Sequence, residues 1–216
     1  MRGRFITFEG IEGSGKSSQI ALLTDYLRSK HRAVSLTREP GGTPIGDQIR
    51  KILLDPANKA LDPAAELLLY AASRAQHLKE VIGPALESGA IVLCDRFSDA
   101  TIAYQGYGRR LDRDMIRSLD RMVTAGMRPD LTIVLDVDAA VGLARARGRN
   151  NLQGLEAEAR FENETLAFHE RVRQGYLALA KEEPTRIRIV DAALTPDRVQ
   201  EKIREIVNRV LDADGK

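Results

Sequence analysis

A chain of 216 residues, 43% hydrophobic and 30% charged, can bury one sizeable core, so a single domain is expected. A formal net charge of +2 argues against a nucleic-acid partner held by bulk electrostatics, and any basic patch has to be local. The apolar run between Arg4 and Glu9 is too short for a signal-peptide core or a membrane span, and the lone Cys94 cannot close an internal disulfide. The expectation is a soluble cytoplasmic protein with no membrane partner.

In chain order, Phe5–Phe8 is a short β-rich run that ends at a glycine-rich turn, Gly10 to Gly15. A helical pattern follows with Ile20, Leu23 and Leu27 on one face. Ala33–Thr37 reads as a second strand closed by Pro40-Gly41-Gly42, and helical patterns cover about 45–54 and 63–88. Ile91–Cys94 and Leu131–Leu135 are unbroken apolar runs, the signature of strands buried on both faces. Ile187–Val190 makes a fifth, weaker strand, and an amphipathic helix is predicted over about 197–211. The polar stretch from Gly148 to Gly154 has little apolar periodicity and reads as a mobile segment. Strands separated by helix-length segments predict an α/β fold, a parallel five-stranded sheet with helices on both faces.

Gly10-Ile11-Glu12-Gly13-Ser14-Gly15-Lys16-Ser17 matches the G-x-x-x-x-G-K-[ST] phosphate loop and lies where that loop must, after a strand and opening a helix. Glycines let backbone N–H groups converge on phosphate oxygens, and the helix N-terminus adds partial positive charge. Lys16 is expected to bridge the β- and γ-phosphates of ATP, Ser17 to offer its hydroxyl to Mg²⁺, and Ser18 to complete the nucleotide cradle. A guanine-reading Asn-Lys-x-Asp is missing: Asn58-Lys59 runs on into Ala60-Leu61, which sets the GTPases aside. A second Mg²⁺-organising carboxylate belongs at the end of another buried strand, either Asp95 or Asp136. Asp95 is favoured because Arg96 follows it into the same crevice, whereas Asp136 precedes Asp138, a good helix cap.

Four further clusters carry polar chemistry. They are Arg38-Glu39-Pro40 in a turn-rich loop; Tyr70 and Arg74, one helical turn apart; Asp95-Arg96-Phe97-Ser98; and Thr101 with Tyr104-Gln105. Arginine forks hold phosphate, and an aromatic beside an arginine can stack on a base. The competing readings are bland: Tyr70 as core, and Arg38 and Glu39 as a surface pair. The three histidines, at 31, 77 and 169, show no metal-ligand spacing and receive no role.

The phrases F-E-G-x-E-G-x-G-K-S, T-R-E-P-G-G-T, D-R-F, A-Y-Q-G and R-F-E stand in the order and spacing of the thymidylate kinases, which the sequence resembles over nearly its whole length. The resemblance implies a nucleoside-monophosphate-kinase fold with a lid at about 145–162, transfer from ATP·Mg²⁺ to dTMP, and a homodimer. It implies that Tyr70 stacks on thymine, that Arg74 and Thr101 contact the base, and that Tyr104 crowds the 2′ position. Arg38 and Arg96 fall at acceptor-phosphate positions and Glu12 near the sugar 3′-OH; Glu39, Pro40, Ser98 and Gln105 lie in the matching motifs. With no arginine in the phosphate loop, the chain resembles the bacterial type, whose lid carries the cations. Arg160 is then expected over the transferring phosphoryl group and Arg145 over adenine, with Arg147 and Arg149 beside them. Ala159 replaces the aspartate usual before that arginine. The alternatives are another nucleotide kinase of the same fold, and a nucleotide-regulated binding protein without transfer.

Overall fold

In a computed structural model, residues 2–153 and 159–212 are described, with the side chains of 149–153 excepted. Five parallel strands are hydrogen-bonded in the order β2-β3-β1-β4-β5. They are β1 (Phe5–Glu9), β2 (Val34–Arg38), β3 (Ile91–Asp95), β4 (Leu131–Asp136) and β5 (Ile187–Asp191). Each extends the predicted run by about a residue toward its carboxyl end, because ladder pairing persists to the charged residue that closes it. β1 lies between β3 and β4, so chain direction across the sheet switches beside it, and a crevice opens at the carboxyl ends.

Alternation along β1 shows that both sheet faces are covered. Ile6 and Phe8 pack with Ile20, Leu23 and Leu27 of α1 (Lys16–Ser29) and with Val199, Ile203 and Val207 of α9 (Pro196–Asp212). Phe5 packs instead with Val92, Cys94, Phe97 and the apolar residues Leu78, Ile82 and Leu86. The strands at the sheet edges are less protected, which accounts for exposed Leu36 in β2 and Ile189 in β5.

The helix predicted over 63–88 is continuous but irregular: α3 (Pro63–His77), a π-helical turn at Leu78–Ile82, then α4 (Gly83–Glu87). Its start is fixed by the Asp62 carboxylate, which accepts from the backbone N–H of Ala64, with Pro63 at the first helical position. A similar cap starts α2 (Pro44–Leu54), where Thr43 Oγ1 accepts from Gly46 N. After β3 come α5 (Ser98–Thr101), a π-helical segment at Ile102–Gly108 and α6 (Arg113–Thr124). The polar stretch from Gly148, read as a mobile segment, is helical as far as Gln153: α7 spans Ala139–Gln153. Backbone hydrogen bonding inside a helix needs no apolar periodicity. α8 (Leu166–Glu182) then returns to β5.

One close approach ties α7 to the phosphate loop. Gly13 has φ 68°, and a Cβ there would lie 2.0 Å from the carbonyl oxygen of Gly142. Gly142 is equally confined, with Glu12 O 2.7 Å from its own would-be Cβ. We expect Gly13→Ala to lower stability by about 1–3 kcal/mol in urea titration and to weaken nucleotide binding, because backbone has to move at the loop itself.

Candidate active site

The carboxyl ends of β1, β2 and β3 open into a cavity of about 490 Å³, a volume suited to a small ligand. At its phosphate end stand Lys16 and Ser17, Asp95 and Arg96, and the arginines 38 and 50. At its other end stand Tyr70, Arg74, Thr101 and Phe97. Glu12, Gly13, Gly15, Ser18, Glu39, Pro40, Tyr104 and Gln105 complete the predicted residues that line it.

The phosphate loop is built as its sequence requires. Gly10, Gly13 and Gly15 all have positive φ. Lys16 Nζ donates to Gly10 O at 3.0 Å and Ile11 O at 2.9 Å, with Ser14 Oγ at 3.4 Å. Burial, together with the repulsion of Arg96, lowers its pKa to about 8. The Ser17 hydroxyl reaches Asp95 Oδ2 at 3.3 Å, which brings the two expected metal-organising groups together. Asp136 is occupied elsewhere, paired through both oxygens with Arg173 of α8 at 2.7 and 2.8 Å. Among the described residues no group of three His, Cys, Asp or Glu could hold a metal ion. Ser17 and Asp95 are the residues that would hold a Mg²⁺, a cation ordinarily bound by one or two protein oxygens with phosphate and water completing its shell.

Arg96 stands at the centre. Its backbone is left-handed, φ 70°, an uncommon state for a non-glycine residue that aims the side chain back across the loop. The guanidinium donates to Gly10 O at 2.9 Å and Glu12 Oε1 at 3.0 Å, with its Cζ 4.8 Å from the centre of the Tyr104 ring. Burial alone would raise the Glu12 pKa, but Arg96, His169 and Lys16 outweigh it and hold that carboxyl well below the usual range.

The acceptor end is a set of buried, fully partnered charges. Arg74, 3% exposed, donates from Nε to Glu39 Oε2 at 2.8 Å, from Nη1 to Asp120 Oδ1 at 3.1 Å and from Nη2 to Thr101 Oγ1 at 2.8 Å. Burial would lower its pKa; Glu39 and Asp120 raise it further, so it is a fixed cation. Glu39 also meets His77 Nδ1 at 3.0 Å, so it does not pair with Arg38, whose partner is Asp47 at 3.4 Å. Tyr70 is half-buried and faces the cavity, not the core alone. Tyr104 donates its hydroxyl to Glu12 Oε1 at 2.6 Å.

Six predicted residues sit apart from the cavity wall: Gly10, Ile11 and Ser14 within the phosphate loop, then Ser98, Arg145 and Arg160. Ser98 Oγ donates to Asp120 Oδ1 at 2.6 Å, a support for the aspartate that holds Arg74. Arg145 Nη1 donates to Ala192 O at 3.2 Å, beside the loop that follows β5. Arg160, expected over the transferring phosphoryl group, is 7% exposed and paired with a buried acid. Its Nη2 lies 2.7 Å from Glu66 Oε2 and its Nε donates to Leu53 O. Glu66 is a fully buried carboxylate that also takes Gln105 Nε2 at 2.8 Å and Arg109 Nη2 at 3.1 Å. Arg147 donates to the backbone of Glu162 at 3.0 Å. The side chain of Arg149 lies outside the described residues.

Sequence reasoning missed four residues. Arg50 lines the cavity and donates to Pro40 O at 3.0 Å; its only signal is one turn-and-a-half of helix separating it from Pro44. His77 and His169 are buried partners of Glu39 and Glu12, which spacing alone could not show. Glu9, 0% exposed, accepts from Phe97 N at 2.8 Å and from the Tyr176 hydroxyl at 2.7 Å, fixing the turn that carries Arg96. A carboxylate closing an otherwise apolar strand was the available clue.

A phosphate loop at the switch point of a parallel sheet, with an arginine-rich acceptor cavity across from it, defines a P-loop nucleoside monophosphate kinase. Residues 8–203 match the family profile Thymidylate kinase. The chain is 60% identical over 203 residues to thymidylate kinase of Trichlorobacter lovleyi, covering 94% of this chain and 96% of that one. It is 57% identical over 211 residues to thymidylate kinase of Syntrophotalea carbinolica, covering 98% of each. A crystal structure of thymidylate kinase from Ehrlichia chaffeensis superimposes with TM-score 0.75 at 35% identity, over 96% of this chain and 99% of that one. The chain belongs to the thymidylate kinase family.

Burial, with repulsion from Asp99, raises the Glu9 pKa from 4.5 to about 8. The folded state then holds this proton more tightly than the unfolded state. Its stabilising effect is complete below the unfolded pKa of 4.5 and is lost as pH rises through about 8. Glu9→Gln, which does not titrate, should lose less stability than the wild type over that window. The expected readout is a melting-temperature difference that moves several degrees in the variant's favour between about pH 6 and about pH 9.

Proposed function

We propose that the chain transfers the γ-phosphoryl group of ATP·Mg²⁺ to dTMP, giving ADP and dTDP for dTTP synthesis. The observation that carries the reading is a single cavity in which Lys16, Ser17 and Asp95 face Arg38, Arg50 and Arg96 and which continues to Tyr70 and Arg74. The acceptor phosphate is already anionic near neutral pH, so its oxygen attacks the γ-phosphorus without a general base. The bond from that phosphorus to the β,γ-bridging oxygen breaks, and ADP leaves. Phosphoryl transfer of this kind depends on alignment and charge neutralisation more than on covalent help.

Lys16 balances charge on the β- and γ-phosphates when it exchanges its carbonyl partners for phosphate oxygens. Ser17 and Asp95 would hold the Mg²⁺, and that ion would supply charge neutralisation for the transferring group. Arg38, Arg50 and Arg96 hold the acceptor phosphate. Tyr70 offers its ring to thymine, and Arg74, fixed by three partners, presents a rigid donor edge to the base together with Thr101. Tyr104 crowds the 2′ carbon, favouring deoxyribose, and Glu12 faces the 3′-OH. The segment 145–162 serves as the lid: Arg145 covers adenine, and Arg160 reaches the transferring group on release from Glu66 or, in the present arrangement, pins the acceptor wall.

The same reading makes the protein one cytoplasmic domain and a homodimer. Support for a second copy comes from exposed Leu68 of α3 and Met115 and Met122 of α6, on helices that pack together. The single thiol, Cys94, is buried and unpaired, as suits a reducing compartment. No described helix is long and apolar enough to cross a membrane.

Coupled ADP release with dTMP, dUMP, dCMP, dGMP and AMP in turn tests the acceptor. A strong preference for dTMP is expected, and turnover with another monophosphate instead would overturn the acceptor pocket. Arg96→Ala should lower kcat/KM for dTMP by about 10- to 100-fold, the value of a lost charged hydrogen bond. For the metal, Asp95→Asn should raise the Mg²⁺ concentration needed for half-maximal rate, and Asp136→Asn should not; the reverse order would reassign the carboxylate.

A further inference from the structure

The two oxygens of Glu12 are served unequally. Oε1 accepts from the Tyr104 hydroxyl at 2.6 Å and from Arg96 at 3.0 Å. Oε2 is shielded from solvent and meets no well-aligned donor among the described residues. The group that faces it is Nδ1 of His169, 3.2 Å away and 1% exposed. The other ring nitrogen, Nε2, lies 3.0 Å from the carbonyl oxygen of Phe161. A carbonyl can only accept, so Nε2 donates; an imidazole between two acceptors satisfies both only with a proton on each nitrogen.

Phe161 and Tyr104 close the circuit. The Tyr104 ring meets the Phe161 ring edge-on with centroids 5.3 Å apart, and both residues line the cavity. Glu12, Tyr104, Phe161 and His169 therefore form a closed ring of contacts around one side of the acceptor site. Two of its members belong to the phosphate loop and the chain after β3. The other two belong to the segment that follows α7 and to the first turn of α8, which Thr165 caps. An unmet buried carboxylate oxygen is costly, so the orientation of Glu12 depends on what stands at position 169.

We propose that His169 is a positioning residue for phosphoryl transfer: it ties the Glu12 carboxylate of the phosphate loop to the backbone at Phe161, holding the sugar-facing acid and the lid-side wall of the acceptor site in one register. It touches no substrate. The proposal rests on the reading of Glu12 as facing dTMP and adds to it the element that aims it.

Two substitutions separate the two bonds. The amide nitrogen of Asn mimics Nδ1 and can still serve Glu12; that of Gln mimics Nε2 and can still serve Phe161. His169→Gln should lower kcat/KM for dTMP by about 10- to 100-fold while KM for ATP stays within about twofold, and His169→Asn should recover most of the loss. In a Glu12→Gln background, His169→Gln should cost no more than about twofold further, because the acid it aims is already neutral. Equal losses in the Asn and Gln variants, or an undiminished loss in the Glu12→Gln background, would overturn the proposal. Should the variants fail to fold, the ¹⁵N signals of the wild-type imidazole decide: protons on both nitrogens support the bridge, and a bare Nδ1 sinks it. Wild type that turns over no dTMP would end the acceptor reading, while those ring signals would still report whether the bridge exists.

Discussion

The site depends on one guanidinium that two buried carboxyl groups position, Glu12 through its side chain and Glu9 through the backbone that carries it. Arg96 leaves β3 in a left-handed conformation and crosses the mouth of the phosphate loop to Glu12, while Glu9 receives the next backbone N–H, that of Phe97. The two acids respond oppositely to similar burial. Glu12, in contact with Arg96 and faced by His169 and Lys16, stays ionised well below the usual range. Glu9, desolvated by burial and repelled by Asp99, is pushed up to about 8. The result places a fixed cation beside the phosphates with one compensating anion. A second full negative charge at Glu9 would weaken the hold of the loop on an anionic ligand. The backbone strain at Arg96 is sustained because its carbonyl-side neighbour, its own guanidinium and the ring of Tyr104 are all fixed by separate partners.

The base end of the cavity repeats this logic with two more buried acids. Glu39 orients Arg74 and His77, and Glu66 orients Gln105, Arg109 and Arg160. Each acid sits on a different element from most of its partners, so the carboxylates fasten α3 to the chain after β2 and to the segments that precede α6 and α8. A pocket wall made this way holds the Arg74 guanidinium in one place, and donors fixed in advance reduce the ordering that binding of a ligand has to supply. Such an arrangement tolerates substitution poorly, since removing one partner leaves a charge buried without compensation.

Much of the fold and of the nucleotide half of the site was legible because both are written locally. Five apolar runs at helix-length intervals gave the strands, and the phosphate loop is a contiguous motif whose flanks could be checked against it. Asp95 was preferred over Asp136 on the residue that follows it, and the contact with Ser17 on one side and with Arg173 on the other separates them in space. What stayed hidden was the partnering of residues far apart in sequence. His77 meets Glu39 across 38 positions and Tyr176 meets Glu9 across 167, and no spacing rule links them. The polar stretch from Gly148 read as a mobile segment because apolar periodicity is weak there; that periodicity reports a core-facing helix face, not the backbone bonds that carry α7 as far as Gln153.

Arg160 shows where motif logic and physical context diverge. An arginine in a lid motif suggests a charge reaching toward the transferring phosphate, but a guanidinium goes where the deepest unmet anion is. Glu66 has no exposed surface and needs more than one cation to offset its desolvation; Arg109 lies on one side of it and Arg160 on the other. The backbone follows the side chain, since Arg160 N donates to Leu54 O at 3.2 Å and places Phe161 against Tyr104. The same residue thus sets the position of the aromatic wall and of the carbonyl that His169 grips. Releasing Arg160 would leave Glu66 with Gln105 and Arg109 alone, so this pair fastens the chain after α7 to α3.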